Sequence, residues 1–330
     1  MEVCGLDIGY SNMKVVFGGV ETAPQMDIHI FPVGAAPAHL LSGNVEGRVV
    51  DATQVQVDGE EYVACVEPER LVNWERALHD DYPSTPSYRA LFHAALLKTG
   101  GATVDRLVTG LPVSHHHNKK TVKALEKRLT GVHQVAPGYA VCVREVAVIP
   151  QPVGAYLDVA ASSGREEEFA DAEVLIVDPG YFSVDWVLMS EQDLQTEWSD
   201  SSTQATSRLL EEVSTLIYRE YECRVPVGKI ERAIRTGKET LPVFRERVAL
   251  KPLLKQAAKN VAPMVMHSLK SSMRTKAADI GVVILAGGGA SFYKDAVEDV
   301  FPRSEIILPK DPVTSNASGF WFYGAAIMGD

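Results

Sequence analysis

The sequence predicts an α/β protein built from two similar lobes, and three observations carry that expectation. A strand–turn–strand unit with an aspartate near the end of its first strand opens the chain, Val3 to Phe17. A second such unit, Glu173 to Leu188, opens the second half, with Asp178-Pro179-Gly180 repeating the order of Asp7-Ile8-Gly9. A repeat of this kind carries more than either copy alone. Further on, Ala286-Gly287-Gly288-Gly289-Ala290 joins a buried strand to a helix. The missing Cβ atoms there let backbone approach a ligand. At 330 residues the chain is longer than one simple core requires, so two domains are the default.

In the opening unit, Gly9-Tyr10-Ser11-Asn12 is turn chemistry, since Gly tolerates positive φ and Ser and Asn bond local backbone. Met13, Val15 and Phe17 alternate with Lys14 and Val16 at the period of a strand. Such a hairpin exposes several N–H groups in one concavity, which suits phosphate oxygens. Asp7 stands at its mouth, positioned for a hydrated divalent cation, and Lys14 is placed to reach a phosphate. An ordinary hairpin with a polar turn is the alternative, because short Gly motifs recur widely.

Composition narrows the function classes. With 46% hydrophobic and 23% charged residues, the chain reads as soluble and globular. A net charge of −11 argues against a nucleic-acid binder acting through its whole surface. Met1-Glu2-Val3 begins no secretory signal, and no apolar run approaches the roughly 20 residues of a membrane span. A cytoplasmic location is therefore expected. Cys4, Cys65, Cys142 and Cys223 are widely spaced and read as buried free thiols, with no zinc grouping.

In chain order, Ile28 to Phe31 and Val55 to Val57 are strand candidates within a region, 20–60, broken by Gly and Pro. Asp58-Gly59 is a hairpin turn, with Glu61 to Val66 returning. Residues 67–86 are loop-rich, and Ser87 is expected to cap a helix to Lys98 that Gly100-Gly101 ends. Arg106 to Pro112 is a buried strand. His115-His116-His117 cannot face one metal together and reads as a solvated loop before an amphipathic helix, Asn118 to Leu129. Ala140 to Pro150 is a strand, and Gln151-Pro152 starts a helix to Ser162. The acidic stretch Gly164 to Asp171 marks a domain boundary.

After the second hairpin, residues 196–202 read as polar and turn-like, followed by a helix from Thr203 to Tyr221. Pro226-Val227-Gly228 leads into a short basic helix, Lys229 to Arg235. A longer helical pattern, Arg245 to Met273, is expected to kink or break at Pro252 and Pro263. Ile280 to Leu285 and Ile306 to Leu308 are strands, Ser291 opens a helix, and Asn316 to Met328 is a helix rich in Gly, Ala and aromatics.

Taken together, Asp7-x-Gly9 with Lys14, Gln151 after a strand, Asp178-x-Gly180, Gly287 to Ala290, and Asn316-Ala317-Ser318-Gly319 fall in an order that resembles the actin-like ATPase superfamily. Within it the chain is most similar to bacterial plasmid-segregation actins of the ParM/StbA type. Thr109-Gly110-Leu111-Pro112, Gln151 to Tyr156 and Gly319-Phe320-Trp321-Phe322-Tyr323-Gly324 add to the likeness, which covers nearly the whole chain. The resemblance implies a two-lobed actin/Hsp70-like α/β fold of duplicated ribonuclease H-like domains around a central nucleotide cleft. Lobe I would span 1–163, with helix 312–330 returning to it, and lobe II 164–311.

The same resemblance implies site roles. Asp7 to Lys14 (Gly9, Tyr10, Ser11, Asn12 and Lys14) would form the first phosphate loop. Asp178 with Gly180, Tyr181, Phe182 and Ser183 would form the second. Gly287, Gly288, Gly289 and Ala290 would form the adenosine motif, with Lys229 and Arg232 on the nucleoside-contacting helix. Gln151 would orient water, unless it simply starts its helix by bonding local backbone. Asp7 and Asp178 would hold Mg²⁺ through its waters. The expected function is slow ATP hydrolysis, with GTP as a second candidate, coupled to filament assembly. Plasmid DNA would be moved through a DNA-binding adaptor, with no direct nucleic-acid or membrane contact. A non-polymerising nucleotide-binding scaffold of the same fold is the alternative. Tyr181-Phe182-Ser183 departs from the commoner Gly-Thr-Thr-like run, and Asp185 is a candidate supporting partner. No Asp suits deprotonation of a sugar hydroxyl.

Overall fold

The computed structural model describes residues 1–20, 26–42, 52–74, 81–203 and 205–326. The chain divides into two units, Met1–Glu166 with Pro309–Asp330, and Glu167–Leu308.

In the first unit, β1 (Glu2–Ile8), β2 (Asn12–Gly19) and β3 (Asp27–Pro32) form an antiparallel meander. The short strands β4 (Gly34–Pro37), β5 (Thr53–Val57) and β6 (Glu60–Val66) make a separate sheet in the order β4-β6-β5. Helix α1 (Pro86–Thr99) packs on that sheet and leads to β7 (Thr103–Leu111). Then come α2 (Val113–His116), α3 (Lys119–Leu129), β8 (Gly131–Ala136), β9 (Tyr139–Pro150) and α4 (Gln151–Ser163). The main sheet runs β3-β2-β1-β7-β9-β8, with β1, β7 and β9 parallel. Strand β1 lies inside the sheet with α10 and α1 packed against it and is buried from Val3 to Ile8, while the edge strand β3 exposes Ile28 and Ile30.

Helix α5 (Glu166–Ala170) leads into the second unit, with β10 (Glu173–Pro179), β11 (Val184–Ser190), β12 (Asp193–Ser202), α6 (Thr206–Tyr221), α7 (Val227–Arg235), β13 (Thr240–Val243), β14 (Glu246–Ala249), α8 (Leu250–Met273), β15 (Val282–Leu285), α9 (Ala290–Val300) and β16 (Glu305–Ile307). Its sheet order is β12-β11-β10-β15-β16, with β10, β15 and β16 parallel. That matches β3-β2-β1-β7-β9 strand for strand and direction for direction. The repeat seen in two short hairpins is a duplication of whole sheets. Helix α10 (Ser315–Ala326) packs on β1, β7 and α4 of the first unit.

Several local expectations are corrected. Thr85, not Ser87, caps α1, accepting from the Tyr88 N–H at 3.2 Å. Pro86 takes the first helical position, so the cap falls on the residue before it. Ser87 instead donates to the Ala35 carbonyl at 3.0 Å. The histidine triplet is no loop, because His115 and His116 donate to the Pro112 carbonyl at 3.0 Å each and close a helical turn. The acidic stretch after Gly164 contains α5, held by buried Phe169. Residues 196–202 are strand, in β12, an edge strand whose one buried residue is the polar Ser199. Helix α8 begins only at Leu250. Pro252 lies in its first turn, where no N–H is required, and Pro263 lies inside a helix that continues past it. The expected end of α10 at Met328 lies outside the described residues, as do parts of the regions 20–60 and 67–86.

Helix α1 is buried nearly all round, and His93 is buried with it at 5% exposure. Desolvation pushes its imidazole down to about 4 from 6.5. The unfolded chain then binds a proton that the folded chain refuses, so stability falls as pH drops from about 6.5 to about 4 and levels off below. The loss at this one site should reach at most ~3 kcal/mol. Burial also lowers His116 and His133, with the same sign. Urea midpoints measured across this range should fall with pH, less steeply in His93→Gln. A wild-type midpoint that does not move would show that this imidazole is not desolvated.

Candidate functional site

The first hairpin pairs Asp7 with Lys14 and Ile8 with Met13, and its turn closes with the Gly9 N–H donating to the Asn12 carbonyl at 3.1 Å. Asp7 is 3% exposed. Its Oδ2 accepts from Lys14 Nζ at 2.9 Å and its Oδ1 from Gln151 Nε2 at 3.1 Å. Lys14 therefore pairs with the carboxylate opposite it in the ladder, a partner that the sequence reading did not name. Gln151 reaches Asp7 because it is the first residue of α4, directly after β9. A Cβ at Gly110 would lie 2.7 Å from Gln151 Cγ, so the glycine of Thr109-Gly110-Leu111-Pro112 makes room for that side chain. Thr109 Oγ1 donates to the Leu6 carbonyl at 2.7 Å and ties β7 to the strand carrying Asp7.

The second hairpin has the same turn: the Gly180 N–H donates to the Ser183 carbonyl at 2.9 Å. Asp178 pairs in register with Asp185, the position that Lys14 holds in the first hairpin. Both carboxylates are buried. Asp185 Oδ2 accepts from Ser183 Oγ at 2.5 Å, and its Oδ1 from Ser201 Oγ. Like charges opposite one another in a ladder are unfavourable, and the two serine donors offset part of that cost. Counting outward from each four-residue turn gives both pairings, so Asp185 as the direct counterpart of Lys14 was readable from the repeat.

The glycine run has two parts. Gly287 has φ +80, and a Cβ there would overlap the Asp178 carboxylate. At Gly289 it would come within 2.8 Å of the Pro179 carbonyl, which accepts the Gly289 N–H at 2.9 Å. These two glycines let the start of α9 close against the second hairpin. Gly288 has nothing within 4 Å and is the one with open space beside it. Ala290, the first residue of α9, is buried. Lys229 and Arg232 lie on the exposed face of α7, whose buried positions include Glu231, an acid that the sequence reading passed over.

Among the described residues, the buried polar atoms without a hydrogen-bond partner include Asn12 Oδ1 beside the first turn and Thr206 Oγ1 at the start of α6. The Thr206 hydroxyl lies beside the second hairpin, since the Thr206 N–H donates to the Gly180 carbonyl at 3.2 Å. In each unit taken by itself, an orphaned polar atom beside a glycine turn suits a group rich in hydrogen-bonding oxygens. Among the described residues no three His, Cys, Asp or Glu side chains form a ready cage for a metal ion. A cation at either aspartate would keep most of its water, as Mg²⁺ does. Among the described residues no helix is long and apolar enough to cross a membrane.

Residues 5–154 match the family of actin-like proteins, N-terminal domain, and residues 176–299 match the archaeal actin homologue MreB-like C-terminal family. No curated protein matches the chain. Among solved structures, Ta0583, an archaeal actin homologue, aligns with a TM-score of 0.76 at 20% identity, covering 97% of this chain and 98% of that one. The same homologue in complex with ADP aligns at 0.73 with 18% identity, over 97% and 98%. A subunit of a 15-stranded ParM filament from Clostridium botulinum aligns at 0.72 with 14% identity, over 98% of each chain.

Proposed function

Since the chain has the two-unit fold of the actin-like proteins, we propose that it binds ATP with Mg²⁺, hydrolyses it slowly, and assembles into filaments under nucleotide control. The carrying observation is the duplicated turn with a buried aspartate beside it, at Asp7 with Lys14 and Gln151 and again at Asp178. The N–H groups of Gly9–Asn12 and of Gly180–Ser183 would take phosphate oxygens. Asn12 and Thr206 would supply further polar contacts, and backbone at Gly288 would approach the nucleoside, with Lys229 and Arg232 on the nearby helix face. The likeness to a protein solved with ADP favours an adenine nucleotide.

Asp7 positions Gln151, and Gln151 orients water. A carboxamide is a weak base, so turnover is slow and suited to a timer rather than to metabolism. Mg²⁺, when bound through water at Asp7 and Asp178, would neutralise the phosphate charge. The likeness to ParM supports a role in moving plasmid DNA, and a net charge of −11 favours an adaptor for the DNA contact. The same fold without productive polymerisation is the second reading, favoured by the bulky Tyr181-Phe182 in the second turn. Purified protein with Mg-ATP is expected to release phosphate and to pellet on ultracentrifugation, and with ADP to stay in the supernatant. Phosphate release without pelleting or filaments by electron microscopy would favour the scaffold. Neither binding nor release would remove the nucleotide reading.

A further inference from the structure

The first unit holds a cavity of about 530 Å³ where α1, α3, β8 and the β5–β6 turn meet. Its wall includes Gln56, Arg89, Phe92, His93, Arg128 and His133. The charged and titratable groups there come from every surrounding element: Tyr88, Arg89 and His93 from α1, Arg128 from α3, His133 from β8, and Asp58 from the β5–β6 turn. Arg89 is paired with Asp58 at 2.5 Å. Arg128 therefore sets the sign of the cavity, which is positive.

The two imidazoles are held alike. His93 Nδ1 lies 2.6 Å from the Gln56 carbonyl and His133 Nε2 lies 2.9 Å from the Leu129 carbonyl. A carbonyl only accepts, so those nitrogens carry the protons, and His93 Nε2 and His133 Nδ1 are left as acceptors. The rings stand 5.8 Å apart, centroid to centroid. One proton added to each ring turns both acceptors into charged donors beside Arg128. Burial and the Arg128 charge resist that change while the cavity holds no anion, and an anion would reverse the balance.

We propose that this cavity is an effector site for a small phosphate-bearing anion, which binds with uptake of protons by His93 and His133. Its path to the first turn lies within the same unit. Tyr10 of the turn stacks on Tyr82 at 5.0 Å, and Tyr82 meets Tyr88 edge-on at 5.4 Å. Arg128 holds the segment after Tyr82, donating to the Pro83 carbonyl at 2.6 Å and to Ser84 Oγ at 3.1 Å. An anion that draws Arg128 into the cavity loosens that hold and shifts the packing of Tyr82 on Tyr10. This second step rests on Gly9–Asn12 being a phosphate turn; the binding step does not.

The test reads the imidazoles directly, by ¹⁵N ring spectra of the full chain titrated with inorganic phosphate. Sulfate, whose charge is constant over the range, serves as a parallel probe. Both anions should move the His93 and His133 ring nitrogens toward the protonated pattern. Sulfate affinity should weaken by about tenfold per pH unit for each proton taken up, as pH rises above neutrality. His133→Gln should weaken binding by at least about tenfold with the fold intact. Rings that stay in their starting tautomers at saturating millimolar anion, or a sulfate affinity independent of pH, would overturn the proposal. Affinity for a fluorescent ATP analogue, with and without sulfate, tests the coupling. If no nucleotide binds at all, the functional reading fails while the ring shifts still decide the anion site.

Discussion

Asp7→Asn is expected to lower ATP turnover by a factor on the order of 10²–10³, the usual effect of removing one preorganised electrostatic contact. The substitution keeps the shape of the side chain and removes its charge. Asp7 accepts from both Lys14 Nζ, at 2.9 Å, and Gln151 Nε2, at 3.1 Å. An asparagine cannot accept from both in that arrangement without turning its own NH₂ toward one of two donors. Lys14 is 15% exposed on its side chain, so water can take over part of its solvation. The stability cost should therefore stay below the ~3–5 kcal/mol of a fully buried broken pair. Nucleotide affinity measured alongside separates two roles. Gln151→Ala should lower turnover while leaving affinity within about threefold, because in the proposed reading Gln151 orients water and does not hold the nucleotide. Asp7→Asn should lower both. Wild-type turnover in Asp7→Asn, with an unchanged circular dichroism spectrum, would remove Asp7 from the machinery.

What the sequence made legible follows from how local the physics is. The two hairpins are four-residue turns between apolar strands, and both the turn and the aspartate beside it lie within a few residues of each other. The glycine run could be read for the same reason, although only the structure separates Gly288, with open space beside it, from Gly287 and Gly289, which accommodate the Asp178 hairpin. Edge strands were harder. β12 and β8 are edge strands that each bury one side chain, Ser199 and Val135, so they carry little apolar signal, and their polar residues read as turn or were passed over. Strand β14 was absorbed into the helical pattern that begins at Arg245, because Val248 and Leu250 fit either period, and β13 before it was passed over. The ion pair of Lys14 with Asp7 went unnamed for a different reason. A lysine beside a phosphate-like turn suggests a phosphate, but cross-strand register places the Asp7 carboxylate opposite it first.

The contact of α10 with α4 sets the largest expected stability effect. Here two helices and a strand meet backbone to backbone. A Cβ at Gly319 would fall inside the Gly154 carbonyl group, and one at Gly154 would come within 2.5 Å of the Asn316 carbonyl oxygen. At Gly5 of β1, a Cβ would lie 2.7 Å from the Trp321 amide nitrogen. None of these obstacles is a flexible side-chain end, so relief requires moving a helix. Gly319→Val should destabilise the first unit by ~3 kcal/mol or more, at the upper end of overpacking costs. For a unit of this size that corresponds to a fall in Tm on the order of 10 °C. Gly281→Ala is the control. It lies before β15 with nothing within 4 Å of its would-be Cβ, and should leave Tm within about 2 °C. A Gly319→Val protein as stable as wild type would mean that α10 can lift off β1 and α4 at little cost. The C-terminal helix would then be a loosely held arm rather than part of the first unit's core, and the burial of Phe320 and Trp321 would have to be re-examined by hydrogen exchange.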